Sequence, residues 1–170
     1  MSKKSMWSLK LSTAAIALIP AAIGINYLGK LFAGLLKLPL WLDSIGTILS
    51  SMLAGPIIGA LSGIFNNIIF GVTADPISTV YAVTSGAIGL LVGIMAYKGW
   101  LKNLGTVIVI GLVVGLAAAV ISTPLNLIFW GGQTGNVWGD AFYAFLVSND
   151  VPVWLASFGD SVVVDVPDKV

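Results

Sequence analysis

Leu40 to Val72 reads LWLDSIGTILSSMLAGPIIGALSGIFNNIIFGV, an apolar stretch whose single charge, Asp43, lies near its start. It is long for one helical crossing of a bilayer, which takes about 20 residues, and short for two. Gly55-Pro56 stands at its middle, and that dipeptide marks a turn. The punctuation predicts two short helices, Trp41–Ala54 and Ile57–Val72. Lysine placement favours the same division, because cytoplasmic flanks of membrane helices hold most of the Lys. With a turn at Gly55-Pro56, Lys3, Lys4, Lys10, Lys98, Lys102 and Lys169 fall on one side and only Lys30 and Lys37 on the other. A single crossing would move Lys98 and Lys102 across and erase the bias.

Outward from this stretch the pattern repeats. No charged residue occurs from Leu11 to Gly29, from Ser44 to Ala74, from Pro76 to Tyr97, or from Asn103 to Gly139. Hydrophobic residues make up 58% of the chain and charged residues 9%, against about 25% charge in soluble domains. Mean hydropathy is +1.02. Lipid is therefore the expected solvent. Helix 1 is expected from about Leu11 to Leu28 or somewhat beyond, with a kink at Pro20, then a short amphipathic segment from Lys30 to Pro39. Helix 4 is expected over Ile77–Tyr97 and helix 5 over Leu104–Phe129, ended by Trp130-Gly131-Gly132. An irregular segment runs to Pro152, and a last apolar run starts at Val153. Asp160, Asp165 and Asp168 leave that run too short to finish a crossing. The expected fold is all-α: a six-helix transmembrane bundle with an incomplete sixth helix, forming one substrate-binding domain over residues 1–170. Both ends lie in the cytoplasm. Met1 to Gly24 also fits a secretory signal, but the apolar run continues through Leu28 and no polar domain follows.

The charged inventory excludes much chemistry. It comprises eight Lys and seven Asp, with no Arg, Glu, His or Cys. Thiolate nucleophiles, disulfides and Cys- or His-based metal sites are absent by composition, and no side chain ordinarily titrates near neutral pH. No cofactor or metal is expected. A net charge of +1 gives no reason to expect nucleic acid as a partner. Gly24 to Lys30 imitates the start of a phosphate-binding loop, but Leu31 stands where Ser or Thr should hold magnesium. Gly139-Asp140 and Gly159-Asp160 resemble half of an aspartyl-protease pair, without the longer motif that such sites carry.

Small residues at every fourth position let helices approach closely in lipid. Four such ladders are present: Gly55, Gly59 and Gly63; Gly89 and Gly93; Gly111, Gly115 and Ala119; and Ala17 with Ala21. Internal packing accounts for most of them, and one or two are left to face another membrane subunit.

Polar groups inside a membrane bundle are costly and mark function. On this topology they gather in the outer half: Asn66 and Asn67 on helix 3, Thr79, Tyr81 and Thr84 on helix 4, and Asn126 after Pro124. The next loop adds Trp130, Gln133, Asn136, Trp138 and Tyr143, and helix 6 adds Asp160 and Asp165. Aromatic faces plus amides suit a small, flat, polar ring. Asn66, Asn67, Tyr81, Thr84, Asn126, Trp130, Gln133, Trp138 and Asp165 are the candidate ligand contacts. Plainer roles compete with some of them. Trp41, Trp130, Trp138 and Trp154 suit interface anchors, Asn126 suits the backbone freed by Pro124, Asp165 suits an ion pair with Lys169, and Asp75 suits a cap on helix 4.

Leu38-Pro39-Leu40-Trp41-Leu42-Asp43-Ser44-Ile45-Gly46-Thr47, the Gly55-Pro56 turn, Gly59 to Asn67, Asp75-Pro76 and the Asp165–Lys169 segment together resemble the substrate-binding S components of energy-coupling-factor vitamin transporters. The resemblance spans most of the chain. It implies a multi-pass protein of the bacterial cell membrane that captures a vitamin from outside and is not an enzyme. The partners it implies are a membrane scaffold subunit and two ATPases. Ala17 and Ala21 match the family's scaffold-facing motif, and nearby members take pyridoxine or hydroxymethylpyrimidine. A self-sufficient secondary transporter is the alternative, although the halves show no repeat of the kind such proteins carry.

Overall fold

The computed structural model describes residues 13–170, the side chain of Ala14 excepted. The expected start of helix 1 at Leu11 and the basic tail of Lys3, Lys4 and Lys10 lie outside the described residues. The regular structure of the described residues is helical: α1 (Thr13–Leu36), α2 (Ile45–Ala54), α3 (Pro56–Thr73), a 3₁₀ segment (Pro76–Tyr81), α4 (Ala82–Tyr97), α5 (Leu104–Trp130), α6 (Val137–Ser148) and α7 (Val153–Lys169).

Among the described residues, four spans are long and apolar enough to cross a membrane: Ala15–Leu36, Pro56–Thr73, Pro76–Tyr97 and Leu104–Trp130. The chain is thus a helical, membrane-embedded protein. The six expected crossings are not all of that length. α2 has 10 residues, a rise of about 15 Å against a hydrocarbon core of about 30 Å.

The turn that divides α2 from α3 lies at the expected place. Gly55 has φ +96°, a left-handed value that only glycine adopts without strain. Pro56 opens α3, where its missing N–H costs nothing. Two expected boundaries shift. Trp41 to Ser44 is not helical, so α2 starts at Ile45. The segment from Lys30 is not a separate amphipathic piece but the last turns of α1. A third difference is α6, which occupies the stretch expected to be irregular.

Close packing follows the glycine ladders. A Cβ on Gly89 would lie 2.4 Å from the Ala60 nitrogen, and one on Gly93 would lie 2.3 Å from Pro56 Cα, so α3 and α4 touch backbone to backbone. Gly59 faces Ser51 of α2, and Gly111 and Gly115 face the Asp165–Val170 end of α7. Those three ladders are internal. The fourth is not: Ala17 and Ala21 are exposed on α1, and a Cβ on Gly24 would meet nothing within 4 Å.

Burial is inverted relative to a soluble domain. Leu35, Val72, Leu104 and Ile128 are among many large apolar side chains that face outward. The interior instead holds Asn26, Thr47, Ser50, Ser51, Ser62, Asn66, Asn67, Asn126 and Asp160. Water would penalise both arrangements, and hydrocarbon favours both. Among the described residues, buried apolar side chains cluster at Ile88, Val92, Met95, Ile110, Val114 and Ala118 between α4 and α5.

Candidate functional site

A polar cavity of about 210 Å³ opens where the α1–α2 loop, the 3₁₀ segment, α4, α5 and α7 meet. Pockets for drug-sized ligands run to roughly 300–1,000 Å³, so this one suits about one substituted ring. It lies at the end of α4 opposite the α4–α5 turn that carries Lys98 and Lys102.

Local chemistry builds one wall. The Asp75 carboxylate accepts from the Ile77 N–H at 3.2 Å and from the Ser78 hydroxyl at 3.0 Å, so it starts the 3₁₀ segment as expected of a cap. The segment delivers Tyr81, whose hydroxyl donates to Asn126 Oδ1 at 2.5 Å. One turn along, Thr84 and Ser122 bond at 3.2 Å, stitching α4 to α5 beneath the cavity. Asn126 also donates to Ser161 Oγ at 3.0 Å. Its amide therefore joins three elements and is not spent on the backbone freed by Pro124.

Charge builds the opposite wall. Lys169 Nζ bonds to Asp168 and lies 3.8 Å from Asp165 and 4.0 Å from Asp43. The expected Asp165–Lys169 pair thus belongs to a larger network. Asp168 Oδ1 accepts from the Trp41 and Leu42 N–H groups at 3.1 and 2.8 Å, pinning the α1–α2 loop to α7. Lys30 donates to Ser78 at 2.8 Å and lies 3.7 Å from Asp43. Its ammonium also sits 4.8 Å from the Phe70 ring centre and 5.8 Å from that of Trp41. Trp41, expected as an interface anchor, is a wall of the cavity.

A loop closes the remaining side. Thr134 and Gly135 line the cavity. The Thr134 N–H donates to both Asp140 and Asp160, at 3.0 and 3.1 Å. The Thr134 hydroxyl donates to Asp160 at 2.8 Å, and the Gly135 N–H donates to Asp140 at 3.0 Å. The two aspartates that suggested a protease pair do meet, as a clasp on this loop. The imitation phosphate loop, Gly24 to Lys30, lies inside α1, where its N–H groups are engaged by the helix. Among the described residues no group of three metal-ligating side chains forms.

Of the candidate ligand contacts, Tyr81, Thr84, Asn126 and Asp165 come together on the cavity wall. Asn66, Asn67, Trp130, Gln133 and Trp138 do not. Asn66 and Asn67 are fully buried between helices. Asn67 donates to Ser85 and to the Gly63 carbonyl, while both polar atoms of the Asn66 amide lack a partner. Trp130 is partly buried at the end of α5, and Gln133 is exposed. Trp138 is exposed, and its indole donates to the Lys37 carbonyl at 2.9 Å, tying α6 to the end of α1.

Sequence reasoning missed Lys30, Trp41, Asp43, Ser78, Ser85, Ser122, Thr134 and Lys169. A signal for the charged ones was present, because a chain this poor in charge places few at random and intramembrane charges are expensive. No family model matches the chain, and no curated protein or solved structure matches it.

Proposed function

We propose that this chain is the substrate-capture subunit of an energy-coupling-factor vitamin importer. It takes a small heteroaromatic vitamin or precursor, of the pyridoxine or hydroxymethylpyrimidine class, from outside the bacterial cell membrane. A scaffold subunit and two ATPases then drive delivery inward. The observation that carries the reading is the ring-sized polar cavity inside an apolar exterior. Trp41 and Tyr81 offer aromatic surface to a flat ligand, and Thr84, Ser122 and Asn126 offer edge contacts. The orientation follows the lysines: the cavity faces outward and the Lys98–Lys102 turn faces the cytoplasm. On this reading α2, α3 and α7 complete a six-helix bundle. The stripe of exposed Ala17 and Ala21 with half-buried Gly24 on α1 supports a helix–helix contact with the scaffold, since small residues permit backbone approach.

One calorimetric experiment tests capture and assembly together. The purified full chain is titrated with a panel of ring vitamins in the absence of ATP, as wild type and as Ala17→Leu/Ala21→Leu. We expect one pyridoxine- or hydroxymethylpyrimidine-class ring to bind both forms about equally, with Kd on the order of 1 μM or below. Only the wild type should co-purify with its scaffold. A panel with no binder would sink the proposal, and loss of ring binding in the variant would place those alanines in the bundle interior.

A second reading rests on Asp160 and Asp165, which are buried carboxylates of the kind that couple protons in secondary transporters. Uptake that persists after every ATPase partner is deleted would favour it.

A further inference from the structure

Three carboxylates and two ammonium groups line the cavity: Asp43, Asp75 and Asp165 against Lys30 and Lys169. Each ammonium group makes one hydrogen bond and has at least one carboxylate beside it. Lys169 bonds to Asp168, which lies behind the wall, and also faces Asp165 and Asp43. Lys30 donates to Ser78, faces Asp43 and rests against the Phe70 ring.

The carboxylates are not engaged to the same degree. Asp75 accepts one capping hydrogen bond on each oxygen. Asp43 touches the two ammonium groups only at 3.7 and 4.0 Å, beyond hydrogen-bond distance. Asp165 is 7% exposed, meets Lys169 through one oxygen at 3.8 Å, and receives no hydrogen bond on the other from any described residue. An ionised carboxylate has about four acceptor positions, and leaving them empty away from water is costly. The cavity is the side from which further donors can reach Asp165.

We infer that the cavity selects its ring by charge, taking a nitrogen-rich ring with a cationic or N–H-donating edge and rejecting anionic counterparts. Asp165 and Asp43 are the accepting residues. An amino group beside a ring nitrogen, or an aminomethyl arm, lays donors on a carboxylate in the strong charge-assisted manner, while Trp41 covers the ring face. A ring carboxylate or phosphate ester would meet a wall on which carboxylates outnumber ammonium groups three to two. The inference rests on the capture reading above and names its ligand class.

The test is a charge series on the purified full chain. Pyridoxamine, pyridoxine and 4-pyridoxate share one ring and differ in carrying an aminomethyl, hydroxymethyl or carboxylate group. 4-Amino-5-hydroxymethyl-2-methylpyrimidine adds a probe with an amino group beside a ring nitrogen. We expect the two amino-bearing rings to bind at least ~10-fold more tightly than pyridoxine, and 4-pyridoxate at least ~100-fold more weakly than the amino rings. Asp165→Asn should remove most of the amino-ring advantage while leaving pyridoxine within about threefold. Asp43→Asn, in a loop, gives the same comparison if Asp165→Asn does not fold, and the wild-type series needs no variant. Equal or tighter binding of 4-pyridoxate would overturn the charge inference and leave the capture reading standing. If none of the four rings binds, both fall.

Discussion

Gly89→Leu should prevent recovery of folded, monodisperse protein from the membrane. A Cβ at Gly89 would stand 2.4 Å from the Ala60 nitrogen and 2.5 Å from the Gly59 carbonyl carbon, and these are backbone atoms that no rotamer change can move aside. Relief would require α3 and α4 to separate. Moving α4 off α3 breaks the Asn67–Ser85 bond between them and pulls on the 2.9 Å bond from the Ser51 hydroxyl of α2 to the Gly89 carbonyl. Overpacking costs about 1–3 kcal/mol where side chains can adjust, and we expect the upper end or beyond here. Gly24→Leu is the control. Its Cβ would meet nothing within 4 Å, so thermal stability of the isolated chain should change by no more than about 0.5 kcal/mol. Size-exclusion profiles and thermal unfolding in detergent would check both.

Lys169→Met should cost nearly as much and should abolish ring binding. Lys169 is the one ammonium group shared by Asp43, Asp165 and Asp168, and its side chain is 2% exposed. Removing one partner of a buried ion pair costs about 3–5 kcal/mol, because the remaining charge is left uncompensated. Asp168 holds the Trp41 and Leu42 N–H groups, so a loosened α7 end would release the aromatic wall as well. Adding Asp168→Asn to Lys169→Met should restore part of the lost thermal stability, since the two residues share one network and their effects are not additive. A double variant no more stable than Lys169→Met alone would contradict this account.

How much was legible depended on how local the signal was. The Gly55-Pro56 turn is specified by two adjacent residues, and it lies where the sequence puts it. The end of α4 at Tyr97 and the start of α5 at Leu104 likewise follow from the edges of uncharged runs, reinforced by the Asn103–Thr106 capping box. α6 was not legible because its residues contact little beyond α7 and the loop before it, so its apolar positions form no strong stripe. The cavity was half legible. Tyr81, Thr84 and Asn126 were found because polar side chains in apolar helices stand out. Asn66 and Asn67 stood out for the same reason, yet they lie inside the helix packing. Asp43 and Lys169 were not read as cavity residues because they meet through a contact between segments 126 positions apart, as the Leu42–Asp168 bond shows. No local pattern announces a pairing over that distance.

The chain has no native cysteine, so single-cysteine labelling tests the outward-facing cavity directly. Ile77 lines the cavity and is 37% exposed, while Lys98 is exposed at the far end of α4. With a membrane-impermeant maleimide on intact cells, Ile77→Cys should label and Lys98→Cys should label only after permeabilisation. Labelling of both positions from the same face of the bilayer would contradict the account.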